Sequence, residues 1–205
     1  MSKATIILAG GLSRRFGTSK PFLCIDGKPL LSRSITLASR FSDEIVVAIG
    51  DTDSFERYKQ FLSDSVRIVK DCSRQQSPLV GMYTGLRSVK STRAMVLSCD
   101  LPFVNERVAT FLLERTLQFD AAVPKWPNGN IEPLHSAFNV AEAKSATEKT
   151  LLMGQLRVSH MIDRLRNVAY VNVEEMRKLD NDLLTFFNVN TKTDLRKAEK
   201  IMKAL

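Results

Sequence analysis

Short apolar runs, rich in β-branched residues, occupy positions 4–8, 44–49, 66–69, 94–97, 121–123 and 136–140, and amphipathic stretches lie between them at 29–39, 54–62, 79–89 and 105–119. A strand that is apolar on both sides of its pleat needs cover on both faces, and a helix that carries the chain back to the same end of the sheet supplies it. Units of this kind cross over with the right hand. The pattern therefore predicts an α/β fold, a three-layer α/β/α sandwich around a mostly parallel, Rossmann-like sheet. Residues 151–165 read as helical and 168–173 as an edge strand. A last helix starts at Thr191, an N-cap with Asp194 three residues later. The irregular stretches are 71–78, 125–133 and 181–190, polar loops of the kind in which sites form.

At 205 residues and 44% hydrophobic composition, the expectation is one domain over residues 1–205. No stretch approaches the ~20 apolar residues of a membrane span, and the chain enters its first strand without a basic segment, an apolar core and a cleavage site. The expected compartment is the cytoplasm, with no membrane partner. Cys24, Cys72 and Cys99 contain no C-x-x-C pair, which argues against a disulfide framework or a thiolate zinc site. His135 and His160 are too far apart for a metal motif. The net charge of +8 is spread along the whole chain without an aromatic-interleaved basic block. That distribution disfavours nucleic acid and suits a cleft for phosphorylated small molecules.

Directly after the first apolar run the chain reads Leu8-Ala9-Gly10-Gly11-Leu12-Ser13-Arg14-Arg15-Phe16-Gly17-Thr18-Ser19-Lys20. A strand that empties into such a loop can cradle phosphate. Gly10 and Gly11 let the backbone approach a ligand and present N–H groups, while Arg14, Arg15 and Lys20 supply positive charge. The spacing fits neither the Walker pattern nor G-x-G-x-x-G.

In an open parallel sheet, ligands bind beyond the carboxyl ends of the strands, where the strand order switches. The glycine-rich loop, Asp71 and Asp100 all follow expected strands and fall at that edge. Asp100 can ligate Mg²⁺, which prefers one or two carboxylates plus phosphate and water, or it can cap the helix that begins near Asn105. The basic loop favours the metal. Asp71 can cap the turn at 71–78 or accept hydrogen bonds from a base or ribose.

These segments, in this order, resemble the molybdenum cofactor guanylyltransferases, a family with the nucleotide-diphospho-sugar-transferase-like fold. The resemblance rests on the loop from Leu8 to Lys20, on Asp26-Gly27-Lys28-Pro29-Leu30-Leu31, and on Ser77-Pro78-Leu79-Val80-Gly81 with Gly85-Leu86. Cys99-Asp100-Leu101-Pro102-Phe103, Glu132-Pro133-Leu134-His135 and Phe186-Phe187-Asn188-Val189-Asn190-Thr191 complete it. It departs at Ser19-Lys20-Pro21-Phe22-Leu23, where many relatives have Asp-Lys-Ala-Leu-Leu, at Phe16, where methionine is usual, and around Gly50 and Asp51, where an asparagine often lies near the base.

The resemblance implies a nucleotidyltransferase with GTP and molybdopterin, with or without molybdenum, as substrates. Leu8, Ala9, Gly10, Gly11, Lys20, Asp71 and Asp100 would bind nucleotide, and Asp100 would also hold Mg²⁺. Pro78, Asn188 and Asn190 would face the pterin. The pterin phosphate would attack the α-phosphorus of GTP and expel pyrophosphate, with Lys20, Arg15 (or Arg14) and Asp100 as the catalytic set; no general base is needed. The rival readings are a cytidylyltransferase on the same pterin, a sugar-phosphate nucleotidyltransferase of the same fold, and a non-catalytic nucleotide-binding adaptor. Transient contact with cofactor-accepting or cofactor-delivering proteins is a further expectation. His135 would orient the pterin or brace the loop after Pro133.

Overall fold

The computed structural model describes residues 2–10, 19–63, 65–71, 73 and 75–204. Strand β1 (Lys3–Leu8) is followed by a short hairpin, β2 (Cys24–Ile25) and β3 (Lys28–Pro29), and by helix α1 (Leu30–Ala38). Then come β4 (Glu44–Ile49), α2 (Phe55–Lys59), β5 (Val66–Lys70), α3 (Pro78–Ser88), β6 (Arg93–Ser98) and α4 (Glu106–Arg115). The chain continues through β7 (Ala121–Lys125), β8 (His135–Asn139), α5 (Val140–Leu152), α6 (Val158–Ile162), β9 (Val168–Asn172) and α7 (Lys192–Met202).

Among the described residues, seven strands form one sheet in the order β5-β4-β1-β6-β8-β7-β9. β1 lies parallel to both β4 and β6, with Leu8 opposite Ala48 on one side and Ser98 on the other. After β5 the chain therefore crosses back over β1 to place β6, and the order reverses beside β1. That is the crevice at which ligands enter folds of this kind. β8 runs antiparallel to both its neighbours, so the sheet is mostly parallel, as expected; β9 pairs with β7 alone at the edge.

The strands alternate between two cores. Ile7, Val47, Ile49, Met95 and Leu97 face the layer of α1, α2 and α4, while Ile6, Leu8, Ala48 and Val96 face the layer of α3, α5 and α6. Helix α3 lies hard against β1, since a Cβ at Gly85 would fall 2.3 Å from Ile6 Cγ2. A third cluster, Ile25, Leu30, Phe103, Val189 and Ala198, seats the hairpin and α7 against the loop after Asp100.

One expectation is corrected, and one element is added. The helix expected over 151–165 is instead the end of α5, a turn, and the short α6. Asn139 starts α5 by accepting from the N–H groups of Ala141 and Glu142. Gly154, at φ +70°, ends it, with Gly154 N–H bonded to Leu151 O and Gln155 N–H to Thr150 O. That 6→1 and 5→2 pair is the Schellman stop. The hairpin is the added element: Asp26 and Gly27, both at positive φ, are the turn pair that a two-residue hairpin requires. No helix among the described residues is long and apolar enough to cross a membrane.

Candidate active site

At the carboxyl end of the sheet, the last ladder pairs of β1 and β4 run into a close approach of two backbones. Ala9 N–H and Gly10 N–H both donate to Ala48 O, at 2.8 and 3.2 Å. A Cβ on Gly10 would lie 2.6 Å from the backbone nitrogen of Gly50, so only glycine fits. Asp53 fixes the facing loop by accepting from Gly50 N–H at 2.8 Å.

Beside this junction is a cavity of about 250 Å³ lined by Leu8, Gly10, Gly50, Asp71, Ser77 and Pro78 among others. Asp71 N–H extends the β5 ladder onto Ile49 O, which holds the residue at the cavity wall. Its Oδ1 is buried and has no hydrogen-bond partner among the described residues. Burial above all, opposed by the Thr84 hydroxyl and helped by the carboxylates of Asp53 and Asp51, raises the Asp71 pKa to about 6. Ser77 caps α3 by accepting from Val80 N–H, with Pro78 in the first turn, so that the helix starts at this wall.

A second cavity, of about 220 Å³, is lined by Ser98, Asp100, Leu101, Glu132, Pro133, Leu134, His135 and Asn188. Ser98 and Leu134, joined by the Ser98 N–H to Leu134 O bond, line both cavities. Asp100 is 7% exposed. Its Oδ2 receives Lys20 Nζ at 2.6 Å, and its Oδ1 is buried without a partner among the described residues. Lys20 also donates to Asn190 Oδ1 at 2.7 Å. The backbone closes the same triangle, because Val189 N–H donates to Asp100 O at 3.0 Å. Burial drops the His135 pKa to about 3, so its ring is neutral, with Nε2 3.2 Å from Thr185 Oγ1. Glu132 accepts from Trp126 Nε1, and Phe186 packs edge-on against both Trp126 and His135.

The structure thus gathers most of the residues singled out in the sequence. Leu8, Gly10, Asp71 and Pro78 share the first cavity, Asp100 and Asn188 the second, and Lys20 and Asn190 meet at Asp100. Pro78 stands across Ser98 and Leu134 from the two asparagines with which it was grouped. Ala9 contributes backbone only, its side chain lying in the core. Gly11, Arg14 and Arg15 lie outside the described residues, as does Cys72. Sequence reasoning passed over Asp53 and Tyr58, because a polar residue in a loop and an aromatic in a short helix carry no pattern of their own.

The MobA-like NTP transferase domain matches residues 5–175. A probable molybdenum cofactor guanylyltransferase of Methanosarcina mazei is 31% identical over 198 residues, covering 94% of this chain and 88% of that one. Another, of Methanothermobacter thermautotrophicus, is 33% identical over 195 residues, covering 93% and 95%. The crystal structure of molybdopterin-guanine dinucleotide biosynthesis protein A from Archaeoglobus fulgidus superposes with a TM-score of 0.82 at 28% identity, covering 98% of this chain and all of that one. The 2-C-methyl-D-erythritol 4-phosphate cytidylyltransferase of Thermus thermophilus, at 19% identity and a TM-score of 0.71 over 99% of this chain and all of that one, shares the fold alone. Matched from β1 to beyond β9, and by such relatives along more than nine-tenths of its length, the chain belongs to the molybdenum cofactor guanylyltransferase family, within the MobA-like NTP transferases, and is a nucleotidyltransferase.

Proposed function

We propose that the enzyme transfers GMP from GTP, with Mg²⁺, to the terminal phosphate of molybdopterin or its molybdenum-bound form. The products would be the guanine dinucleotide cofactor and pyrophosphate. The observation that carries this reading is the pair of adjoining cavities, each with a buried carboxylate oxygen that has no partner among the described residues, that meet at Ser98 and Leu134 with Lys20 held beside the boundary. Two substrates joined through phosphate need two such pockets and a cation where they meet.

In this reading the nucleoside fills the first cavity and Asp71 accepts hydrogen bonds from it. Gly10 presents its backbone to the phosphates, Lys20 neutralises their oxygens, and Arg15 adds charge from the same loop. The pterin enters the second cavity along Asn188 and Asn190, near Pro133 and His135. Its terminal phosphate is ionised at neutral pH, so an oxygen attacks the α-phosphorus, the bond to the β-phosphate breaks, and pyrophosphate leaves with the electron pair. The protein's work is alignment and charge neutralisation.

The residues fit Mg²⁺. Among the described residues, Asp100 keeps one carboxylate oxygen without a partner, and no group of three or more His, Cys, Asp or Glu could hold a metal alone. One carboxylate with substrate phosphates and water is the environment that Mg²⁺ favours. Bound there, the ion would draw charge from the phosphate oxygens. Calorimetric titration with GTP, CTP and ATP, each with Mg²⁺, followed by turnover with molybdopterin, tests the reading. GTP should bind with clear preference and pyrophosphate should appear only with the pterin present; preference for CTP would assign the enzyme to cytidylyl transfer instead.

A further inference from the structure

Tyr58 is 1% exposed, yet it carries a hydroxyl into the core. A buried hydroxyl without a hydrogen bond is costly, and phenylalanine would fill the same space without one. Here the hydroxyl lies 3.0 Å from Ala9 O, just past the last ladder pair of β1, and 3.3 Å from Asp53 Oδ2. Asp53 in turn holds Gly50 N–H, the backbone that presses on Gly10. The Tyr58 ring meets the other end of the basic segment. Phe22, two residues beyond Lys20, packs on it with ring centroids 4.9 Å apart. Phe61 and the Arg57 guanidinium cover Phe22 from other sides, at 5.1 and 4.2 Å. The Ser19 side chain sits beside the same hydroxyl, and burial keeps the phenol well above its usual pKa, hence protonated. The turn that carries Lys20 closes on itself through Phe22 N–H to Ser19 O and Leu23 N–H to Lys20 O.

One side chain on α2 therefore touches both the backbone before Gly10 and the turn bearing Lys20. We infer that Tyr58 is a positioning residue for nucleotide binding: it fixes the span between the Ala9–Gly10 backbone and Lys20 across which the triphosphate is held. This rests on the reading of Gly10 and Lys20 as phosphate ligands. A residue that only filled the core would affect stability, and its loss would weaken binding by the same factor whether or not Lys20 was present. A residue that acts through the placement of Lys20 loses its effect once that lysine is gone.

The test is calorimetric titration of GTP with Mg²⁺ into wild type, Tyr58→Phe, Lys20→Ala and the double variant, with melting temperatures measured alongside. Tyr58→Phe should weaken GTP binding about fivefold, the scale of one lost hydrogen bond. In the Lys20→Ala background the same change should matter less than twofold. Phe22→Leu, which leaves the hydroxyl in place, should show the same dependence on Lys20 and serves should Tyr58→Phe fold poorly. Equal losses in the two backgrounds, or no loss on Tyr58→Phe, overturn the inference while leaving the function intact. A wild type that takes up no GTP, or a Lys20→Ala variant that binds it as wild type does, sinks the reading of the site and the inference with it.

Discussion

Asp71 offers a prediction in which the sign is as informative as the size. Its carboxyl is held at a pKa of about 6 instead of the ordinary 3.8, chiefly by burial, so the folded protein keeps this proton more tightly than the unfolded chain does. Where the folded state binds more protons, stability falls as pH rises. The group therefore costs nothing below pH 4, and its cost grows between pH 4 and 6 and is complete above that. A shift of this size would correspond to about 3 kcal/mol at full weight, since one unit is ~1.4 kcal/mol. Asp71 is only half-buried, and screening by solvent reduces the figure to about 1–2 kcal/mol. Urea unfolding of wild type and Asp71→Asn at pH 4.0 and 7.5 isolates the effect, because all other titrating groups are common to both. The stability of wild type relative to Asp71→Asn should drop by about 1–2 kcal/mol between the two pH values. A relative stability that stays constant, or rises with pH, would refute the reasoning. Ligand affinity should run the opposite way: if the charged carboxylate accepts from the nucleoside, GTP affinity weakens as pH is lowered through 6, about tenfold per unit once the group is mostly protonated.

Three further outcomes are expected. Lys20→Ala and Asp100→Ala should each lower turnover about a hundredfold or more while the protein stays folded, measured by pyrophosphate release; near-normal turnover of Asp100→Ala in Mg²⁺ would remove the metal assignment. Gly85→Ala should destabilise the fold by about 1–3 kcal/mol in urea, because the new methyl meets the buried Ile6 side chain and the helix must lift from the sheet. Gly10→Ala should weaken GTP binding at least tenfold, since its methyl collides with the Gly50 backbone rather than with a side chain that can turn aside; an unchanged dissociation constant would show that the two backbones part without consequence.

The sheet was legible wherever a strand is apolar on both faces, as at 44–49, because burial on two sides leaves one unbroken run. Helix α5 was not. Its buried stripe is Ala143, Ala146, Thr147 and Thr150, spaced for a helix but built of small and hydroxylated residues, with Thr147 and Thr150 returning their hydroxyls to the carbonyls of Ala143 and Ala146. A stripe without bulk carries little periodic signal, so the pattern caught only the larger residues at its end. The Asp26-Gly27 pair is a turn signal, but the strands it joins, two residues each, are too short for alternation to register. In the site, Asp71 and Asp100 were found because each is an acid at the end of an apolar run. The Lys20–Asp100–Asn190 meeting joins residues 80 and 170 positions apart, and nothing in the linear order of a single chain encodes such a distance.

That separation also bears on when the enzyme comes alive during synthesis. Asp100 follows Lys20 by 80 positions, yet the asparagine that shares Lys20 follows it by 170, with the Val189 amide that pins the Asp100 carbonyl just before it. Contacts so distant in sequence form late, since the entropy of closing the intervening loop must be met before they return anything. A nascent chain can build β1, β4, β5 and β6 and still lack the residues that steady its lysine. If Lys20 and Asp100 act on phosphate as proposed, that chemistry waits for the segment carrying Val189 and Asn190.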